Sequence, residues 1–226
     1  MCIRDRFSAK YLMTPVERDG LVFNRENVSF YYDLPGEEPD MIVGYADVTH
    51  GGDDYFSLPI GYVYGTEVYI EDVLFINKFG GDDGSRPFVR DIIIRNKATR
   101  VGVEKNNGGD FYSTLMQQDL ADVGYRCHIT THNAPTNKAK RDRILACQNE
   151  IKGIATEKNT YRIYFKHPDT IKGNIQYQTA MQNLYSWNQN INAQKKQHDD
   201  FPDSLAGMIT NVLGGFKNTA KVYDAS

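Results

Sequence analysis

Residues 41–76 read MIVGYADVTHGGDDYFSLPIGYVYGTEVYIEDVLFI, and the fold class turns on how that stretch divides. Met41 to Val48 is a mostly apolar run in which Asp47 is the only charge, short enough for a buried strand. Thr49 to Asp54 (THGGDD) has the composition of a turn. A second run, Tyr55 to Tyr64, follows it, and beyond Gly65 comes a third, Glu67 to Ile76; both are rich in aromatic and β-branched residues. Two hairpins in series make a three-stranded antiparallel meander.

Downstream the period changes. After Gly80 to Pro87 (GGDDGSRP), in which Pro87 suits a first helical turn, Phe88, Ile92, Ile93 and Ile94 recur near helical spacing up to Ala98. Arg100 to Glu104 is then a short apolar strand that ends in a carboxylate, and because it follows a helix it is expected to run parallel to the first strand. Asn106 to Asp110 supplies a turn, Phe111 to Val123 a helix and Cys127 to Thr131 a strand. Lys138 to Ile151 is a helix with a basic start, Tyr161 to Phe165 a strand, and Ile175 to Trp187 and Pro202 to Leu213 are the last helices. The order β-β-β-α-β-α-β-α-β-α-α predicts an α/β fold: an antiparallel three-strand meander followed by parallel strands in one mixed sheet, with helices on both faces. Upstream, Phe7 to Pro39 is irregular, with aromatics between Pro15, Gly20, Pro35 and Gly36, and is expected to lie on a surface as an arm. Residues 1–40 therefore read as arm or connector, 41–215 as the domain and 216–226 as a tail.

The chain has 226 residues, 40% of them hydrophobic and 24% charged, enough to bury a core without staples. No apolar run approaches the ~18 residues of a membrane helix, so no membrane partner is expected. Three cysteines without a CxxC pair support neither a disulfide framework nor a zinc knuckle, and point to a reducing compartment. Residues 1–6, MCIRDR, have no apolar stretch behind them and so are no secretory signal; they read as foreign, adapter-derived sequence. With 26 basic and 29 acidic residues the net charge is −3, so any nucleic-acid surface must be local.

Three acidic features stand where chemistry can use them: Asp47 near the end of the first strand, Glu104 at the end of the first parallel strand, and HDDFPD (198–203) opening the last helix. If those two strands are neighbours, Asp47 and Glu104 lie side by side, and a helix start docked there adds Asp200 and Asp203, which at i, i+3 point to the same side. Several carboxylates in one hollow need a counter-charge. Oxygen ligands suit Mg²⁺ or Mn²⁺, and two such ions ~3.5–4 Å apart can activate a water and stabilise a leaving oxygen. Each acid also has a plainer reading: Asp47 and Glu104 as turn residues, Asp200 as a helix cap, and Asp203 as a first-turn acid favoured by the helix dipole.

The combination resembles the ribonuclease H-like nuclease superfamily, and more closely the C-terminal nuclease domain of the large terminase subunit of tailed bacteriophages, over nearly the whole chain after residue 6. FSAKYLMTPVERDGLVF (7–23) looks like the connector from the terminase ATPase domain, IVGYADVTHGG (42–52) carries the first acid, VGVEKNNGG (101–109) the second and HDDFPDSLAGMI (198–209) the last, while NKAKRDRIL (137–145) resembles the family's basic helix start. The resemblance implies a Mg²⁺- or Mn²⁺-dependent endonuclease that cuts concatemeric viral DNA during genome packaging. Asp47, Glu104 and Asp203 would be ligands of two divalent cations, with Asp200 as a fourth ligand or sharing that role, and His198 and Asp199 outside the ligand set. A metal-activated water would attack in line, with the 3′ oxygen leaving. Implied partners are double-stranded DNA, the terminase ATPase domain, the small terminase subunit and the portal, in the cytoplasm of an infected bacterial host. No GxxxxGK[ST] loop occurs, so this chain holds no motor, either because the gene is truncated or because the chain is the nuclease half alone.

For DNA, Lys138, Lys140, Arg141 and Arg143 form a cluster suited to phosphate contact, with a solvated helix face as the plainer reading. Arg86, Arg90, Arg95, Lys97 and Arg100 make a second basic stretch, and Tyr177, Tyr185 and Trp187 are channel candidates that at helical spacing also fit a core. A free-standing resolvase-type nuclease and a catalytically inactive module that docks on DNA or a portal are the alternatives.

Overall fold

Strand β2 (Met41–Ala46) is followed by β3 (Phe56–Tyr64) and β4 (Glu67–Ile76), which pair antiparallel in sequence as the meander requires. The computed structural model describes residues 20–48, 54–78, 84–105, 109–133, 137–156, 161–190 and 198–214. The MCIRDR segment, the start of the connector, the THGGDD turn up to Asp53, parts of the GGDDGSRP and Asn106–Asp110 turns, the side chain of Lys138 and the 216–226 tail lie outside the described residues. Helix α1 (Arg86–Arg95) leads to β5 (Arg100–Lys105), α2 (Gly109–Asp122) to β6 (His128–Asn133), and α3 (Asn137–Ala146) with the short α4 (Gln148–Ile151) to β7 (Arg162–Lys166). Helices α5 (Ile175–Ser186) and α6 (Asp200–Gly207) close the order.

The seven strands run β1-β7-β4-β3-β2-β5-β6, with β1 at Ser29–Tyr31. Strand β5 pairs parallel to β2, Val43–Ala46 against Arg100–Val103, so the C-terminal ends of the two strands lie side by side. Two apolar layers sandwich the sheet. On one face Val43, Tyr45, Ile70 and Phe165 pack under Leu184 of α5 and Phe201 and Leu205 of α6; on the other, Leu58, Ile60, Val101 and Val103 pack under Ile92 of α1 and Met116 of α2.

Three expectations change. The stretch expected to lie on a surface is partly core: Phe23 is fully buried against Trp187 at 5.9 Å, and Ser29–Tyr31 forms a parallel edge strand on β7, with the Tyr31 hydroxyl donating to Ile70 O at 3.0 Å. Its partner is some 130 residues away in sequence, so no local periodicity announces it. The helix expected over 138–151 breaks at Cys147 into α3 and α4. The last helix starts at Asp200 and passes after Gly207 into a π-helical segment, Met208–Leu213, where the Thr210 hydroxyl bonds the Ala206 carbonyl at 2.9 Å. Tyr177 and Trp187 take the core reading: both are buried, and the Tyr177 hydroxyl donates to Ile70 O at 2.7 Å. Among the described residues no helix is long and apolar enough to cross a membrane.

Candidate active site

Strand alternation decides which way the acids point. Along β2, Val43 and Tyr45 face the α5/α6 layer and Ala46 the α1/α2 layer. Asp47, the next residue in phase with Tyr45, is therefore on the α6 side, its amide donating to Ser57 O at 2.9 Å. Along β5, Val101 and Val103 face α1/α2, which turns Gly102 and Glu104 to the other side. The register Ala46↔Val103 sets Asp47 and Glu104 next to each other.

Helix α6 lies close over this point. The Tyr45 ring is wedged between Gly102 and Gly207: a Cβ on Gly102 would stand 2.7 Å from Tyr45 Cδ2, and one on Gly207 would overlap the ring. Only hydrogen fits at either place, so the helix approaches the strand closely enough for Asp203, one turn before Gly207, to reach the strand ends. A buried pair, Ser57 Oγ and Ser204 Oγ at 2.8 Å, joins β3 to the same turn. The Tyr45 hydroxyl donates to Glu104 Oε2 at 3.3 Å and accepts from Asn211 Nδ2 at 3.1 Å.

Helix α3 supplies the counter-charge. Lys140, Arg143, Ile144 and Cys147 fall at i, i+3, i+4 and i+7, one stripe of a helix; Ile144 and Cys147 enter the core, and the two cations enter the acids. Lys140 Nζ lies 3.5 Å from Asp47 Oδ2, 3.5 Å from Glu104 Oε1 and 2.9 Å from Asp203 Oδ2. Arg143 Nη2 donates to Glu104 Oε2 at 2.9 Å and to Asp203 Oδ1 at 2.5 Å, while its Nε donates to Asp203 Oδ1 at 3.1 Å. The side chains of Glu104 and Asp203 are wholly buried, and that of Asp47 nearly so. Burial pushes the Asp47 carboxyl well above the usual carboxylate range; the Lys140 charge opposes the rise and Asp203 and Glu104 reinforce it. Burial also works against charge on Lys140 and Arg143, but the surrounding carboxylates outweigh it and raise both above their ordinary values.

Asp200 stands beside this cluster. It is the first residue of α6, and the cap position belongs to Asp199, whose side chain makes no capping bond. Among the described residues no ion pair joins Asp200 to Lys140 or Arg143; its Oδ2 is 4.0 Å from His198 Nδ1, itself 3.7 Å from Asp54 Oδ1. Burial raises the Asp200 carboxyl to about 6, against the pull of a hydrogen bond from the Tyr55 backbone, with Asp199 and Asp54 adding to the rise. Burial likewise raises Asp199.

Of the basic residues expected on DNA, Lys140 and Arg143 thus point inward at the acids and Arg141 is exposed. In the second basic stretch, Arg86 is bidentate to Asp119, Arg90 pairs with Asp91 and Arg95 with Asp72. Sequence reasoning missed the inward pair. The signal was present in NKAKRDRIL, where Lys140 and Arg143 share a face with Ile144 and the exposed Arg141 and Asp142 do not. Tyr45, which braces Glu104, and Asn211, which holds the Tyr45 hydroxyl, carry no comparable signal.

Among the described residues no three His, Cys, Asp or Glu side chains already form a metal shell. The carboxylate oxygens stand 2.9–3.5 Å from an ammonium nitrogen, beyond the ~2.1 Å of a Mg²⁺–oxygen bond. Their chemistry nonetheless suits a hard cation. The donors are all oxygen, three converge on one point of positive charge, and Asp203 Oδ2 and Asp200 Oδ2 are buried without a hydrogen-bond partner. Asp203 Oδ2 meets Lys140 only as a close charge pair, not along a well-directed hydrogen bond.

No protein-family model and no curated protein sequence matches the chain. Solved structures do match. The nuclease domain of the large terminase subunit of bacterial virus Sf6 superimposes with a TM-score of 0.53 at 11% identity, covering 76% of this chain and 89% of that one. A variant of that domain with manganese gives 0.52 at 11% identity over the same shares. The large terminase of a thermophilic bacteriophage, in complex with ADP, gives 0.54 at 11% identity over 86% of this chain, which spans 45% of that longer protein. The chain has the ribonuclease H-like α/β fold of these terminase nuclease domains.

Proposed function

We propose that this chain is a metal-dependent endodeoxyribonuclease, the nuclease part of a phage large terminase that cuts concatemeric DNA during packaging. One observation carries the reading: Asp47, Glu104 and Asp203, from two parallel strand ends and a helix start, meet in one buried hollow of a fold shared with terminase nuclease domains. Asp47, Glu104 and Asp203 would hold Mg²⁺ or Mn²⁺, two ions in all, with Asp200 at the margin of the set. Metal ions held there by these carboxylates would activate a water and offset charge on the phosphodiester.

The rest of the chemistry belongs to the chain. Arg143 fixes the rotamers of Glu104 and Asp203 through its planar fork, and the Tyr45 hydroxyl holds the same Glu104 oxygen from the other side. Burial by α6 and the strand ends keeps these oxygens out of bulk water, which strengthens their pull on a cation. Arg141, exposed on α3, is placed to meet a phosphate of double-stranded DNA. On this reading the ATPase part, the small subunit and the portal are partners, and the setting is the infected host's cytoplasm.

The test is nicking of supercoiled plasmid in Mn²⁺ by the purified chain and by Asp47→Asn and Glu104→Gln. Loss of at least about a hundredfold in each variant is expected, because even groups that only brace metal ligands are worth 10–100-fold. Equal nicking by all three proteins removes the site.

A further inference from the structure

Resting on the nuclease reading, we infer that Lys140 is a built-in cation that a metal ion has to displace, so that the chain carries its own competitor for the metal site. The two basic residues of α3 divide the carboxylate oxygens between them. Arg143 takes Glu104 Oε2 and Asp203 Oδ1, and Lys140 takes the other oxygen of each, Glu104 Oε1 and Asp203 Oδ2, together with Asp47 Oδ2. Among the described residues the Lys140 nitrogen is a point that three carboxylates face together, so metal and ammonium contend for the same place.

They cannot share it. Both are cations, and a divalent ion drawing these three oxygens to bonding distance leaves the Lys140 nitrogen within a few ångströms of it, where like charges repel in a site shielded from water. The two cations differ in how firmly they are held. Arg143 makes directed hydrogen bonds through a rigid fork, whereas the Asp203 Oδ2 that faces Lys140 receives no directed hydrogen bond. Lys140 is a point charge on a flexible stem. Lys140 therefore yields and Arg143 stays, still orienting Glu104 and Asp203.

The test measures metal binding, not turnover. Mn²⁺ is titrated into the full chain, Lys140→Met and Arg143→Gln, with free Mn²⁺ read by electron paramagnetic resonance. Lys140→Met is expected to bind at least fivefold more tightly than the unmodified chain and Arg143→Gln more weakly; equal or weaker binding by Lys140→Met overturns the inference while leaving the nuclease reading intact. Binding by none of the three overturns both. The unmodified chain provides a second readout that needs no folded variant: acetylation of Lys140, followed by mass spectrometry, should rise severalfold when Mn²⁺ is added, and unchanged labelling with bound Mn²⁺ overturns displacement.

Discussion

Replacing Gly207 by alanine tests the close approach on which the site depends. Gly207 has helical dihedrals, φ −61° and ψ −42°, so alanine fits its backbone without strain. By helix propensity alone the change should stabilise by up to about 1 kcal/mol. Its new methyl would instead meet the Tyr45 ring, with Cζ 2.7 Å away and the ring edge closer still. That ring is wholly buried and backed on its other side by Gly102, so it has nowhere to retreat. Overpacking of this kind costs about 1–3 kcal/mol, and a trapped ring belongs at the upper end. The net expectation is a loss of about 1–2 kcal/mol, a drop of roughly 2–8 °C in Tm for a domain of this size. Urea and thermal unfolding of Gly207→Ala, alone and in a Tyr45→Leu background, isolate the contact: with the ring gone, the penalty should shrink by at least about 1 kcal/mol. Because Asp203 sits one turn earlier on the same helix, a shift of α6 should also lower Mn²⁺-dependent nicking by about tenfold or more. The same penalty in both backgrounds, or a neutral Gly207→Ala, would mean that the Tyr45 ring does not set the approach of α6 to the strand.

Two further outcomes follow from the site's electrostatics. Burial holds the Asp200 carboxyl at about 6, above the ~3.9 of an unfolded chain, so the folded state binds more protons between those values and stability falls as pH rises through that window. In metal-free buffer, the stability of Asp200→Asn relative to the unmodified chain should increase by up to about 3 kcal/mol from pH 4 to pH 7, and a constant difference would count against burial as the cause. Arg141→Glu, at an exposed position, should leave unfolding within about 0.5 kcal/mol of the parent; it should weaken double-stranded DNA binding and reduce the salt slope by about one, and unchanged binding takes Arg141 out of the DNA surface.

The parts of the fold that were legible in the sequence are those written in local pattern. The runs Met41–Val48, Tyr55–Tyr64 and Glu67–Ile76 emerge as β2, β3 and β4 within a few residues because turn residues bound them on both sides. The parallel relation of β5 to β2 was legible as well, since a helix between two strands leaves few ways to return to the sheet. Strand β1 was not. Three residues, Ser29–Tyr31, have too short a period to read, and their partner β7 is supplied by chain folded much later.

For the site, residue type and order were enough to nominate Asp47, Glu104, Asp200 and Asp203, because a carboxylate at a strand end or helix start is a local feature. Which of them share a hollow was decided by packing: the register Ala46↔Val103, the facing of Tyr45, and the two glycines that let α6 close over it. Packing separates Asp200, toward His198, from Asp203, toward Lys140 and Arg143, although three positions on a helix leave the two adjacent in sequence terms. It also turns Lys140 and Arg143 toward the carboxylates. A basic residue on a helix is drawn to whichever negative charge is nearer, and a one-dimensional chain cannot say whether that is a phosphate outside or a carboxylate within. Here three buried carboxylates, brought together by strands and a helix far apart in sequence, make the inside the stronger attraction.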